Sequence, residues 1–475
     1  MASVLKRLIP AFLATILLEW FAIGLHPLWP IMWVAPLPML LLAPTLSWWM
    51  AAAAAFLAWF AGAFTLWGYF TGTIHMPLGI ALGIFGVMAV GFTLPVLLFR
   101  VLVSRGMLWL ALIAAPALSV SLDYLNSVTS VHGTNGSPSY TQLNFLPALQ
   151  AASVAGPWGV TFLLMLFAAA SALLIGRHGE RRARLIGCIG LAVVAVSLAA
   201  GEMRVMTPQA GQPVKVGLVA SDLKENQGVA EPGDPAAQRF ASYASQAASL
   251  AQQGAQVVVI PENLAVVLAP GDDRVFQDLA DSSGIQIVAG MLRAEDGKKY
   301  NEARLYTPHA PAMAYDKQHL LPPFESPFTP GSSLIWQEKP EGVWGLAICK
   351  DMDFTSPAGR YGAAGAGLML VPAWDFVEDA WAHGHIAIMR AVEGGFSLVR
   401  AARGGYLTVA DDRGRVVAET ASWSAPYATL LTMVPGGHEQ TLYLRFGDWL
   451  AKLSLVFVAG VLLRLLLSRS RTDGV

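Results

Sequence analysis

Apolar residues follow two different rhythms along this chain. In the first 210 residues they form long, nearly unbroken stretches, and a last such stretch closes the sequence. Spanning a hydrocarbon core of about 30 Å takes roughly 20 residues of helix, so eight stretches are candidate spans: 8–25, 30–45, 48–69, 79–102, 107–122, 156–176, 184–202 and 444–467. Pro and Gly punctuate the gaps, as at His26-Pro27 and Thr71-Gly72-Thr73. From 213 to 440 the apolar runs shorten to strand length. Strands are predicted at Val214–Ala220, Val257–Pro261, Ile285–Gly290, Glu302–Thr307, Val343–Cys349, Gly367–Pro372, Ser397–Ala401, Leu407–Asp411 and Ala428–Val434. Helices are predicted at Ala236–Gly254 and Trp381–Gly395. Short apolar strands interleaved with helices and hairpins imply an α/β or α+β layered sandwich.

Charge divides the chain at the same places. Of 475 residues, 55% are hydrophobic and 13% charged, against roughly 25% charged in an average soluble protein. Residues 1–210 carry nine Lys/Arg and four Asp/Glu, whereas residues 213–440 carry 17 and 26. The chain therefore reads as a membrane domain of about seven helices (1–210), an α/β domain (213–437), a final spanning helix (444–467) and a short basic tail (468–475). A net charge of −1 offers no footprint for nucleic acid or another polyanion.

Basic residues orient the bundle. Lys6 and Arg7, Arg100 and Arg105, Arg177, Arg181, Arg182 and Arg184, and Arg469 and Arg471 all fall on one side when spans are counted alternately. The opposite connections, 26–29, 70–78 and 123–155, contain no Lys or Arg. The basic side is the cytoplasmic one, so both termini are expected inside and the α/β domain outside. Lys6 and Arg7 before an apolar run also fit a signal peptide, but no small-x-small site precedes Trp20, and the segment is read as a retained helix. Glu19 lies within that helix, where it is expected to snorkel or to pair.

Two cysteines occur, Cys188 in an apolar run and Cys349 in the polar domain, and no disulfide is expected between them. Cys349 ends the run Trp-Gly-Leu-Ala-Ile-Cys, Glu262 ends Val-Val-Val-Ile-Pro-Glu, and Lys317 follows Met-Ala-Tyr-Asp. Residues just beyond apolar strands can meet at one rim of a sheet. A nucleophilic thiol needs a base, and its tetrahedral intermediate needs a positive or N–H donor for the oxyanion. Glu, Cys and Lys supply one of each. Spacing alone leaves open an inert buried thiol beside a structural Glu262–Lys317 pair. Arg390 and Glu393, three apart on a helix, read as a scaffold pair. His383 and His385, two apart on the same helix, face different directions and make a poor metal pair. No metal, nucleotide or phosphate-loop motif is present, so no cofactor is expected.

The order and surroundings of these residues resemble the nitrilase (carbon–nitrogen hydrolase) superfamily. The matching segments are "VVVIPEN", "YNEARLY", "YDKQHLLPPFESPFTPG", "LAICKDMDF", and "IMRAVEGG" followed by "LVRAARGGYLTVADDRGRV". A domain of that kind set before a last membrane helix, with about seven helices ahead of it and the stretch "LNFLPALQAASVAGPWGVTFLLMLFAAASALL", is similar to the apolipoprotein N-acyltransferases. The resemblance implies a multi-span helical bundle carrying an αββα sandwich. It implies Glu262 as general base, Lys317 as oxyanion stabiliser and Cys349 as nucleophile. A second carboxylate, Glu325, would orient Lys317 or the incoming amine, the backbone N–H of Lys350 would be a second oxyanion donor, and Trp374 in "PAWDF" matches an aromatic segment near the family's pocket. The implied reaction moves an acyl chain from a phospholipid, through a thioester, to the N-terminal amine of a diacylglyceryl-cysteine lipoprotein at the outer face of a bacterial inner membrane.

Two places depart from the family. Cys349 is followed by Lys350-Asp351 rather than Tyr-Glu, and the segment after Lys317 reaches Pro330-Gly331 quickly, as in soluble nitrilases. A membrane-tethered amidase or an acyltransferase for another amine, and an inactive scaffold that keeps the fold, therefore stay as alternatives. The orientation is tested by fusing a reporter that is active only outside the cytoplasm. Activity is expected for fusions at Pro213 or Gly437, and an active fusion after Arg471 would overturn the alternating count of spans.

Overall fold

The computed structural model describes residues 2–177 and 179–470; Arg471 and the rest of the expected tail beyond Ser470 lie outside them. The chain divides into two units: residues 1–129, 136–206 and 446 onward form one, and residues 130–135 and 207–445 form the other.

Among the described residues of the first unit, six helices are long and apolar enough to cross a membrane: Trp48–Leu66, Leu78–Ser104, Leu108–Thr129, Pro157–Gly176, Arg181–Met206 and Trp449–Leu467. A further long helix, Ala2–Ala22, covers most of the first expected segment. The second, 30–45, is not one helix. It breaks into Trp29–Val34, Leu37–Leu42 and the short turn Ala43–Thr45. The cause is Pro36, Pro38 and Pro44, each of which removes an N–H and crowds the preceding turn. Glu19 departs from expectation as well. It is fully buried, and neither carboxylate oxygen has a hydrogen-bond partner. The approach of the helix Trp48–Gly62 makes this possible, since a Cβ at Gly62 would lie 2.4 Å from Glu19 Oε2. The last helix closes against the same bundle. Ala451 clusters with Val120 and Trp158, and Trp158 Nε1 donates to Asp448 Oδ1 at 2.8 Å.

The second unit is an αββα sandwich. Its strands are β1 (Pro213–Ala220), β2 (Val257–Val259), β3 (Val266–Val267), β4 (Gln286–Glu295), β5 (Lys298–Thr307) and β6 (Ala310–Asp316). After them come β7 (Trp336–Lys339), β8 (Gly342–Leu346), β9 (Ala366–Trp374), β10 (Ser397–Arg403), β11 (Tyr406–Ala410), β12 (Val416–Ala421) and β13 (Ala428–Pro435). One sheet runs β13-β1-β2-β4-β5-β6 with β3 beside β4, and the other runs β12-β11-β10-β9-β8-β7. Alternation along each strand separates the layers. Val214, Val216 and Leu218 of β1 meet Leu368 and Leu370 of β9 and Val399 of β10 between the sheets. Val219 of β1 and Val258 of β2 instead face Phe240, Tyr243 and Phe276 on the helices Asp234–Gln252 and Arg274–Ser283. On the far side Met369 and Val371 of β9 face Ala387, Ile388 and Ala391 of the helix Ala380–Gly394. Because both faces of the central strands are covered, they read as continuous apolar runs.

All nine expected strands and both expected helices are present, with ends shifted by a few residues. Strands β3, β6, β7 and β12 and the helix Arg274–Ser283 were not anticipated. The pairing of β1 with β13 is antiparallel and places Pro213 opposite Pro435, so the two ends of the domain lie side by side.

Where β4 passes under the end of β2, residue 290 has no room for a side chain. A Cβ at Gly290 would lie 2.5 Å from Glu262 Cα and 2.6 Å from the carbonyl oxygen of Pro261. Gly290→Ala should therefore cost about 1–3 kcal/mol by forced backbone displacement. A denaturant titration of the variant is the check, and an unchanged midpoint would show that the Pro261–Glu262 backbone is not held there.

Candidate active site

Cys349 sits at the first position of a tight turn, Cys349–Asp353, that follows the apolar strand β8. Its φ of 42° is left-handed, a conformation that costs a side-chain-bearing residue of order 1–3 kcal/mol and persists only where its surroundings impose it. Asp351 imposes it. Its fully buried carboxylate accepts from the backbone N–H of Ile348 (3.1 Å), from Tyr315 Oη (2.8 Å), and from the backbone N–H groups of Gln318 (3.2 Å) and His319 (2.9 Å). One side chain thereby ties the turn of Cys349 to β6 and to the residues just after Lys317. The buried Cys349 Sγ lies 3.6 Å from the carbonyl oxygen of Trp374, at the end of β9. The N–H of Lys350 precedes the first bond of the turn, from Asp351 N–H to the Ile348 carbonyl (2.9 Å), and helix-start N–H groups of this kind lack a partner within their own turn.

The other strand ends deliver an ion cluster. Lys317, just beyond β6, donates from Nζ to Glu262 Oε1 at 2.8 Å and to Glu325 Oε2 at 2.9 Å. Asn301 of β5 bridges the two carboxylates, with Nδ2 at 2.5 Å from Glu262 Oε1 and 2.5 Å from Glu325 Oε1. The N–H of Leu321 adds a bond to Glu325 Oε2 at 2.7 Å. All four side chains of the cluster are buried.

Burial alone would push the Lys317 ammonium down. The carboxylates Glu262 and Glu325 outweigh it and hold the pKa well above the usual lysine value. Burial pushes the Cys349 thiol well up, with Glu262 adding to the effect and Lys317 opposing it. At rest the site thus holds a protonated thiol beside a charged lysine. In such an arrangement a thiol can attack only by giving its proton to a carboxylate, and a fixed ammonium can meet negative charge on a carbonyl oxygen.

Behind the thiol lies a second set of charges. Arg400 pairs bidentately with Asp375 at 2.6 and 2.7 Å. His383 is placed among three carboxylates, 3.5 Å from Asp353, 3.8 Å from Asp375 and 3.4 Å from Asp379. His385, by contrast, turns to the carbonyl of Trp381 at 2.8 Å. Arg390 pairs with Glu393 at 2.7 Å, away from the cluster of Lys317. The Trp374 ring is not core: it is 41% exposed, with the Arg403 guanidinium 3.6 Å from its centroid.

The residues picked out by sequence therefore gather as two sets. Glu262, Lys317 and Glu325 form one hydrogen-bonded cluster, and Cys349, the N–H of Lys350 and the carbonyl of Trp374 form the adjoining turn. Asn301, Asp351 and His383 were not singled out for the site. The first two lay inside quoted motifs, "YNEARLY" and "LAICKDMDF", Asn301 as a buried polar residue of β5 and Asp351 as a buried acid in the turn after β8.

Comparison with known proteins gives two matches that divide the chain as the structure does. Residues 16–170 match the family described as apolipoprotein N-acyltransferase N-terminal domain, and residues 226–435 match the carbon–nitrogen hydrolase family. An apolipoprotein N-acyltransferase from Geobacter metallireducens is 26% identical over 378 residues, 71% of each chain. One from Bradyrhizobium diazoefficiens is 26% identical over 416 residues, 76% of this chain and 73% of its own. Among solved structures, an amidase from Nesterenkonia sp. is 21% identical and aligns over 50% of this chain and 95% of its own, with a TM-score of 0.40.

The His383 cluster sets a pH dependence. Burial alone would lower its pKa, but Asp379 and Asp353 raise it well above the ordinary 6.5. A group raised on folding stabilises fully below its unfolded pKa, and that contribution is lost as pH rises through the folded value. The stability advantage of the wild type over His383→Gln should be largest below the ordinary histidine pKa of about 6.5 and shrink as pH rises above it. Denaturant unfolding on both sides of that value tests this, and an advantage that grows with pH would contradict it.

Proposed function

Because the chain belongs to the apolipoprotein N-acyltransferases, the membrane-integrated branch of the nitrilase superfamily, we propose that it moves an acyl chain from a membrane phospholipid, through a thioester on Cys349, to the N-terminal amine of a diacylglyceryl-cysteine lipoprotein. The observation that carries this reading is the Glu262–Lys317–Glu325 cluster set beside the turn of Cys349. In the first step Glu262 takes the Cys349 proton as sulfur bonds to the ester carbonyl carbon. The oxyanion is met by Lys317 Nζ and the N–H of Lys350. Collapse breaks the ester C–O bond, and Glu262 returns the proton to the leaving lysophospholipid. In the second step the acceptor amine bonds to the thioester carbon, Glu262 takes a proton from nitrogen, and the C–S bond breaks to regenerate the thiol. Lys317 is suited to this role because it stays charged throughout.

A lipid donor is supported by the rim beside the nucleophile. Phe324, adjacent to Glu325, is 53% exposed, Trp374 is 41% exposed and Val377 is 58% exposed. Phe324 and Phe376 meet with ring centroids 5.6 Å apart, joining the two rim loops. An acyl chain gains about 0.8 kcal/mol per methylene removed from water, so apolar surface at this mouth favours a long acyl group over a small polar amide. Chain connectivity points the same way. Both ends of the domain run into apolar helices, Arg181–Met206 before it and Trp449–Ser470 after it. The distribution of basic residues supports a domain on the outer face of a bacterial inner membrane, with both termini cytoplasmic.

The second reading, transfer to a different amine or hydrolysis of an amide, is favoured by Lys350-Asp351 after the nucleophile and by the short segment between Lys317 and Gly331. Purified protein with labelled phospholipid, with and without a diacylated lipopeptide, separates the two. Label is expected on the lipopeptide amine, with an acyl adduct on Cys349 seen by mass spectrometry. Cys349→Ala should lose both, and Cys349→Ser should release any acyl ester slowly, because an alkoxide leaves less readily than a thiolate. Turnover by Cys349→Ala above about a tenth of wild type would remove Cys349 from the mechanism. An acyl-enzyme that never transfers to the lipopeptide would keep the chemistry and reject that acceptor.

A further inference from the structure

The second unit contains six residues that the sequence separates from all the others. Ser130–Asn135 lie between stretches assigned to the membrane unit, Thr129 on one side and Gly136 on the other, yet they belong with 207–445. Their contacts converge on the turn that carries the nucleophile. The backbone N–H and the Oγ1 hydroxyl of Thr134 both donate to the carbonyl oxygen of Asp353, at 2.9 and 2.5 Å. His132 Nδ1 lies 2.8 Å from Lys350 Nζ. Gly133, with φ 56°, leaves no space for a Cβ, which would sit 2.7 Å from the Asp353 carbonyl oxygen and 2.8 Å from the Phe354 ring. Phe354 in turn stacks on His319 at 3.7 Å, next to Lys317.

His132, Gly133 and Thr134 thus hold the turn 349–353 at Lys350 and at Asp353. They matter because the turn holds an unfavourable backbone angle at Cys349 and must aim two groups at one carbonyl, the thiol and the N–H of Lys350. The His132–Lys350 contact has a defined sense. Burial lowers the pKa of both groups, so the pair is satisfied by one charge, an ammonium on Lys350 donating to a neutral imidazole. Asp353 faces the same ammonium from within the turn, while Lys317 opposes it from the far side of Cys349.

We propose that His132 and Thr134 are positioning residues for acyl transfer, forming a strap that fixes the turn of Cys349 and Lys350 in attacking geometry. The proposal rests on Cys349 as nucleophile. A displacement of about 1 Å at a reacting group costs up to about a hundredfold in rate, so loosening the strap should act on kcat rather than on KM. It should also act on the reactivity of the thiol before any substrate is bound.

The experiment uses the full-length protein in detergent and reads three quantities: thermal unfolding, the rate of Cys349 alkylation by iodoacetamide, and kcat and KM for transfer. Thr134→Val and His132→Ala are expected to slow alkylation and lower kcat about tenfold or more, with KM within about twofold of wild type. Thr134→Ser keeps the hydroxyl donor and His132→Asn keeps an acceptor for Lys350, so both should stay within about threefold of wild type. Wild-type rates in Thr134→Val and His132→Ala would overturn the proposal. Equal losses in the conservative and truncating variants would also overturn it, since these mean space filling alone. If His132→Ala does not fold, the nearly isosteric Thr134→Val against Thr134→Ser decides. Failure of the nucleophile assignment is seen separately, as turnover retained by Cys349→Ala, whereas alkylation reports on the turn whether or not acyl transfer proceeds.

Discussion

A lysine ammonium buried between two carboxylates is the constraint around which the catalytic domain is organised. Taking each ion out of water costs several kcal/mol, and mutual attraction repays that cost only when the remaining donors and acceptors are also satisfied. The surroundings of Lys317 supply those partners from separate parts of the chain. Glu262 arrives at the end of β2, Glu325 from the loop after β6, and Asn301 from β5 bridges the two. Gly290 lets the backbone of Glu262 cross close over β4. None of these groups neighbours another in sequence, so the cluster forms only when the first sheet is assembled. The same arrangement keeps the lysine cationic, while burial keeps the neighbouring thiol protonated.

What could be read in the sequence follows from burial. Central strands such as β1, β2 and β9 are apolar on both faces, which made them visible as runs, and the residues just beyond them were visible as candidate chemistry. Three of the strands that escaped notice, β6, β7 and β12, are sheet edges, with mostly half-exposed or exposed positions. An edge strand satisfies one ladder and faces solvent along much of its length, so it tolerates charged and small residues and loses the apolar signal. β13, the remaining edge, kept Leu430, Leu431 and Val434 and was legible. Asn301, Asp351 and His132 were illegible as partners for a different reason. Each acts through a hydrogen bond to a group fixed by tertiary structure, and a single polar residue in a run does not announce its partner.

The membrane unit shows the same limit in another form. Hydropathy located the long helices but not the break at Pro36, Pro38 and Pro44, which divides an apolar segment of adequate composition into short pieces. Nor did it reveal the close approach of two helices at Gly62, which encloses Glu19 where an exposed or paired carboxylate was expected. Length and apolarity describe what a segment can tolerate, and backbone geometry settles what it does.

The antiparallel register of β1 with β13 bears on how such a chain assembles at all. The final helix must find its bundle partners Val120 and Trp158 after the long excursion of residues 207–445. For a flexible connection, the entropy lost on closing a loop grows with the logarithm of its length. Once Pro213 is zipped to Pro435, the excursion no longer counts as chain. In polymer terms the bundle then closes only the short stretches on either side of that ladder, and the folded sandwich behaves as a brief hairpin between the last two helices. Docking of the last helix is thereby coupled to completion of the sheet that also carries Glu262.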